Sequence, residues 1–139
     1  MTLRYLLDTN VIAERLRPAP NRGIVERMRA HEEEIAAAAP VWHELVYGCH
    51  LLPPSRKRSA IEKFLYEVVV PSLPILPYDA EAAEWHGRER ARLSREGRTP
   101  PFVDGQIAAI ARTHDLEIVT TNPKDYLPFE GVRIRDWRS

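Results

Sequence analysis

Leu3-Arg4-Tyr5-Leu6-Leu7 runs straight into Asp8-Thr9-Asn10, and this junction decides the class of fold. An apolar run of that length has the character of a buried strand, and the polar residues closing it supply the chemistry that starts a helix. Three later segments also place an acidic or amide side chain where one element hands over to the next: Trp42-His43-Glu44-Leu45, Phe102-Val103-Asp104-Gly105-Gln106 and Thr120-Thr121-Asn122-Pro123-Lys124-Asp125. Mutual repulsion would raise the pKa values of carboxylates gathered at one place, whereas a divalent cation holds them ionised. The pattern points to a magnesium-type site.

Working outward, Val11 to Leu16 reads as a short helix stopped by Pro18 and Pro20, and Gly23 to Ala30 as a second. Ile35 to Ala39 fits a helix by its alanines or a buried strand by its closure at Pro40, and the strand is preferred. Helices follow over Val41 to Leu52 and Ser55 to Val69, then an extended piece over Leu73 to Leu76. Asp79 caps a long charged helix to about Glu96, with Gly97 as its stop. A helix from Val103 to about Thr113, a strand from Leu116 to Thr120 and an edge strand at Val132-Arg133-Ile134 complete the chain. Strands alternating with helices give an α/β fold with a mostly parallel sheet, whose ligands bind beyond the carboxyl ends of the strands. Asp8 and Asn122 both fall there.

The bulk properties set limits. At 139 residues, 44% hydrophobic and 29% charged, the chain has the size and composition of one soluble domain. Twenty basic residues balance twenty acidic ones, so nucleic-acid binding has to use a local patch rather than a global field. Cys49 stands alone, which excludes an internal disulfide. No segment has the length of a signal peptide or membrane span, so a cytoplasmic protein with no membrane association is expected. The six glycines form no phosphate-binding loop, and the five histidines show no zinc spacing.

Taken in order, Leu6-Leu7-Asp8-Thr9-Asn10, His43-Glu44-Leu45-Val46-Tyr47-Gly48, Asp104-Gly105-Gln106-Ile107-Ala108-Ala109 and Thr120-Thr121-Asn122-Pro123-Lys124-Asp125-Tyr126 resemble the motifs of the PIN domain. Within that family they resemble the VapC-type toxins of prokaryotic toxin–antitoxin pairs. Any one motif is a common string; the four together, over essentially the full length, are specific. The resemblance implies a single PIN domain over residues 1–139, with a central sheet of about four to five mostly parallel strands flanked by helices. It implies a metal-dependent endoribonuclease using Mg2+, or Mn2+, in an acidic pocket. It also implies a VapB-type antitoxin that blocks the pocket, and a homodimer. Asp8, Glu44 and Asp104 match the family's three acidic positions, while Asn122 and Asp125 share the fourth, with an amide where many members have a charge.

Phosphodiester hydrolysis needs an in-line water and neutralisation of charge on the phosphate oxygens, which Mg2+ held by two or three carboxylates provides. Asp8 and Asp104 are the expected principal ligands, with Glu44 as an outer ligand or water-orienting group. Asn10 and Thr120 are candidates for holding a ligand carboxylate or a phosphate. Each has a plainer reading. Asp8 could cap a helix, although Thr9 or Asn10 could serve there; Asp104 opens a helix, where negative charge is favoured in any case; Asp125 could cap the next turn, and Asn122-Pro123 is turn chemistry by itself. Glu44 has no such use inside a helix, and Gly48 one turn on would let a neighbour or substrate approach. His43 should point some 100° away from Glu44. Among the basic clusters, Arg15 and Arg98 are the expected rim contacts for RNA phosphates. Trp42, Tyr47 and Trp85 read as core or dimer-interface aromatics. Two rival functions are a non-catalytic PIN-like module that binds RNA or protein, favoured by the amide of Asn122, and a phosphatase using Asp8, disfavoured because Asn10 stands where a second Asp is usual.

Overall fold

The computed structural model describes residues 2–138. Among the described residues, five strands form one sheet in the order β3-β2-β1-β4-β5, with every pairing parallel. They are β1 (Tyr5–Leu7), β2 (Ile35–Ala38), β3 (Ile75–Leu76), β4 (Glu117–Val119) and β5 (Ile134–Arg135). Between them lie α1 (Thr9–Ala13), which continues as a 3-10 turn over Glu14–Leu16, then α2 (Arg22–Ala30), α3 (Ala39–Leu51), α4 (Arg56–Phe64), α5 (Val70–Ser72), α6 (Ala80–Arg95) and α7 (Phe102–Thr113). A strand covered by helices on both faces has no solvated side. Accordingly every residue of β1, β2 and β4 is buried.

The alanine run resolves as the preferred strand. It pairs with β1 from Tyr5 opposite Ile35 to Leu7 opposite Ala37, and Pro40 in the first turn of α3 sits where a missing N–H costs nothing. Ser55 caps α4, its Oγ accepting from the Arg58 N–H at 3.1 Å. The helix expected to run on to Val69 widens instead into a π-helical stretch over Leu65–Val69, just before Pro71, whose ring cannot pack against the carbonyl four residues back. Asp79 does cap α6, accepting from Ala82 N–H at 2.9 Å. The edge strand lies at Ile134–Arg135, slightly later than expected.

This order places the site. From β1 the chain builds one side of the sheet through β2 and β3, then returns to the other flank of β1 as β4 and β5. Connections leaving in opposite directions open a crevice at the carboxyl ends of the two adjoining strands, β1 and β4. Asp8 follows β1 and Thr120 follows β4. Beyond the strand, the Asp8 N–H still bonds the Val119 carbonyl at 2.9 Å, so the backbone is fixed where the side chain enters the crevice.

Candidate active site

Asp8 is held by three donors. Oδ1 accepts from the Thr9 N–H at 2.8 Å, and Oδ2 accepts from the Thr120 hydroxyl at 2.9 Å and the Tyr126 hydroxyl at 3.1 Å. Thr120 in turn accepts from the Asn122 N–H at 3.0 Å, which ties the β4 loop to the same carboxylate. Both hydroxyl donors are 1% exposed. Asp8 is therefore itself the cap of α1 as well as the centre of the site, where Thr9 or Asn10 could have done the capping. This also alters what a substitution does. Asp8→Ala leaves two buried hydroxyls without their acceptor, at a cost of about 1–3 kcal/mol each, so Asp8→Asn is the cleaner probe of chemistry.

Tyr126 is the residue that sequence reasoning left without a role. It follows the 3-10 turn Pro123–Asp125, and burial together with the charges of Asp8, Asp104 and Asp125 raises its phenol pKa. It stays a proton donor to Asp8 across physiological pH. Its position beside Asp125 in the last motif was the available signal, but an aromatic next to a turn reads first as core. Tyr126→Phe is expected to destabilise the fold by about 1 kcal/mol and to lower cleavage, as Asp8 loses one of its fixed bonds. Chemical denaturation measures the first effect, and an unchanged midpoint would remove Tyr126 from the site.

Asp104 lies half-buried in the first turn of α7. Burial, then the charges of Asp125 and Asp8, push its carboxyl up to about 6. The helix N-terminus favours the ionised form, and these effects outweigh it. Asp8 and Asp125 thus both act on Asp104. Even so, among the described residues no three of them bring donor oxygens within 4.8 Å of each other, as expected of like charges. Asp104 and Asp125 share an open cleft of about 330 Å³ with Arg98, Lys124 and Pro128.

The other expected residues divide. Arg98 is on the rim of this cleft as anticipated, and also reaches Glu96 at 3.4 Å. Asn122 contributes its backbone N–H, and its side chain is exposed. Asn10 lines a neighbouring cleft with Arg17, Asn21, Thr121 and Arg138. Glu44 has a side chain 41% exposed and pairs with His43, 3.5 Å away, so His43 does not point away from it. Nothing packs above Gly48 within 4 Å. Arg15 faces elsewhere, its guanidinium 6.0 Å over the Phe64 ring in an apolar groove between α1, α2 and the π-helical stretch. Trp42 and Trp85 pack on the core as expected, but Tyr47 is 54% exposed and stacks on His43.

A second donor cluster was not visible in the spacing of the histidines. Cys49, His50 and Glu62 bring ligand atoms within 4.8 Å of one another. The chain supplies its own cation there: Arg58 bonds Glu62 Oε1 at 3.1 Å and His50 Nδ1 at 2.7 Å. Those donors are satisfied, and the cluster shares no residue with the Asp8 site.

The PIN domain family model matches residues 5–129. The chain belongs to the PIN-domain family. This PIN domain is 33% identical over 136 residues to the tRNA(fMet)-specific endonuclease VapC of Shigella flexneri, covering 97% of this chain and 98% of that protein. It is 30% identical to Toxin FitB of Neisseria gonorrhoeae, over 95% of this chain and 97% of that one. Among solved structures it resembles DNA-bound VapBC from Salmonella typhimurium, with a TM-score of 0.82, 29% identity and coverage of 97% and 98%. The fold and family expected from the four motifs are thus found; the sheet of this PIN domain is parallel throughout.

Asp8, Asp104 and Asp125 offer hard oxygen donors, which suit Mg2+ or Mn2+ and not a soft metal; burial, then the charges of Asp125 and Asp8, push Asp104 up to about 6.

Proposed function

We propose that this chain, a single PIN domain over residues 1–139, is the toxin of a VapBC-type toxin–antitoxin pair and an endoribonuclease dependent on Mg2+ or Mn2+. One observation supports the metal site: Asp8 stands at the β1–β4 crevice, and its charge and that of Asp125 both act on Asp104. A divalent cation, when bound, activates water and offsets charge on the phosphate oxygens. The chain's own part is positional. Thr120 and Tyr126 aim Asp8, α7 presents Asp104, and Arg98 and Lys124 at the rim suit RNA phosphates. Asp125 supplies the charge that Asn122 lacks. Glu44 is assigned as an outer ligand or the group that orients the water.

The antitoxin reading draws on the relatives solved as VapBC assemblies. On this chain it is supported by the apolar groove of Ile12, Val25, Met28, Phe64 and Val68, rimmed by Arg15 and Arg29, which suits an amphipathic segment. Tyr47, Leu51 and Tyr66 are exposed apolar side chains of the kind a homodimer covers. No helix of the described residues is long and apolar enough to cross a membrane.

Induced expression in a bacterial host tests this reading. Wild type should arrest growth, Asp8→Asn should not, and a cognate antitoxin should relieve the arrest; equal arrest by both proteins would remove the Asp8 site from the account. Metal binding has its own readout. Millimolar Mg2+ or Mn2+ should raise the wild-type melting temperature at pH 7.5, since a ligand of the folded state stabilises it. The shift should shrink at pH 5, where a proton on Asp104 competes, and vanish in Asp8→Asn/Asp104→Asn.

A further inference from the structure

A second cleft, of about 350 Å³, opens between α1 with its 3-10 turn, the loop after β4 and Arg138 near the C-terminal end. It is bounded by Asn10, Arg17, Asn21, Thr121 and Arg138. Asn10 lies two residues beyond Asp8, and Thr121 adjoins the Thr120 whose hydroxyl bonds it. This cleft shares no lining residue with the Asp104–Asp125 cleft; Asp8 lines neither, but is two residues from Asn10 of the one and its charge acts on Asp104 of the other. Each cleft carries two cationic side chains: Arg98 and Lys124 in one, Arg17 and Arg138 in the other.

The lining of the second cleft has a definite chemistry. Apart from Ala13 it holds no apolar side chain, unlike the groove beneath Arg15. Glu14, 5% exposed, bonds Arg17 at 3.2 Å through Oε1 and the Asn21 N–H at 2.9 Å through Oε2. Its carboxylate is used in building the wall and in setting Arg17. Asp136 sets Arg138 in the same way, at 2.6–3.1 Å. A guanidinium has five N–H donors, so both arginines keep donors for a further anion, and their side chains remain 67% and 50% exposed. Asn10, Asn21 and Thr121 add neutral donors and acceptors. Fixed cations beside neutral amides and a hydroxyl match a phosphate joined to a ribose and a base edge. The volume falls at the small end of ligand clefts, roughly 300–1,000 Å³, which suits one nucleotide unit.

We propose that this cleft seats the nucleotide adjoining the scissile phosphate, with Arg17 and Arg138 on its phosphates and Asn10 and Thr121 on its sugar or base. The strand then passes from the Arg98–Lys124 cleft across Asp8 and Asp104 into the Arg17–Arg138 cleft. This rests on the ribonuclease reading and adds to it the path of the RNA.

The test uses full-length Asp104→Asn protein, expected not to cut, and a fluorescein-labelled twelve-nucleotide single-stranded RNA, followed by anisotropy over a range of salt. Arg17→Gln/Arg138→Gln keeps neutral donors toward Glu14 and Asp136, so the wall is preserved. It should weaken binding about fivefold or more and lower the salt slope by about 0.7 for each phosphate that is no longer neutralised. Arg56→Gln/Lys57→Gln removes the same charge from exposed positions at the start of α4 and should change affinity less than about twofold. Thr121→Val, which changes no charge, should weaken RNA binding with the salt slope intact. Equal losses in the two double variants, or none from Arg17→Gln/Arg138→Gln, overturn the proposal. Wild-type protein assayed on total RNA in parallel separates the two claims: cutting with unaffected cleft variants rejects the cleft alone, whereas neither binding nor cutting rejects the ribonuclease.

Discussion

Asp104→Asn should abolish RNA cleavage and, in the same protein, raise the stability of the metal-free fold at pH 7. The two effects share one cause. Burial and the charges of Asp125 and Asp8 push the Asp104 carboxyl up to about 6, whereas in the unfolded chain an Asp titrates near about 3.9. Between those values the folded state binds the proton more tightly than the unfolded state does. On account of this group, stability therefore falls as pH rises from about 4 to about 6, and stays lower above that window. The full linkage value overstates the effect for a side chain this open to solvent, and about 1 kcal/mol is the expected gain on neutralising it. Urea denaturation of both proteins at pH 4 and pH 7, in chelator, measures it: the difference should open with rising pH. A variant less stable than wild type at pH 7 would mean that Asp104 is a structural acid and not one member of a crowded site.

Gly105→Ala should be among the most damaging small substitutions in the chain, although alanine normally favours a helix interior by roughly 0.5–1 kcal/mol. A Cβ at this position would lie 2.6 Å from His86 Cδ2 and closer still to Nε2. His86 cannot give way easily. It is 3% exposed, its Nδ1 is bonded to the Tyr78 hydroxyl at 2.8 Å, and its ring rests on Phe102 with centroids 4.8 Å apart. Overpacking of this kind costs about 1–3 kcal/mol. Relaxation would move the first turn of α7, and with it Asp104; a displacement of about 1 Å in a site of this kind can cost on the order of 10²-fold in rate. Trimming the obstacle distinguishes this account from a general defect. Gly105→Ala/His86→Ala should be more stable than Gly105→Ala alone, by thermal melting, and a further loss would show that the imidazole is not what the methyl meets.

How far the sequence could be read follows from which interactions are local. The buried strands were readable because a strand covered on both faces is apolar throughout, as Tyr5–Leu7 and Ile35–Ala38 are. The cap at Asp79 was readable because it acts within three residues of itself, and it sets the start of α6. The π-helical widening at Leu65–Val69 was not readable, since Pro71 announces an end but not how the preceding turns adjust. Within the site, Asp8 and Asp104 were found through chemistry carried on motifs. Tyr126 was not, because its hydroxyl matters only through Asp8, 118 residues away in sequence. Arg15 failed in the opposite way: a neighbour of a motif in the chain, it points to a groove. Arg17, close in sequence to Arg15, lines the cleft beside Asp8 instead, since successive residues of a helical turn face different directions.

The most direct test is cleavage of total cellular RNA by purified, partner-free protein, with Mg2+, with Mn2+ and with chelator, beside Asp8→Asn of verified fold. The account predicts discrete products from wild type with either metal, none with chelator, and none from the variant. Metal-dependent products of equal yield from Asp8→Asn, or a folded wild type that binds RNA and leaves it uncut in both metals, would contradict it; the second result would make this chain a binding module.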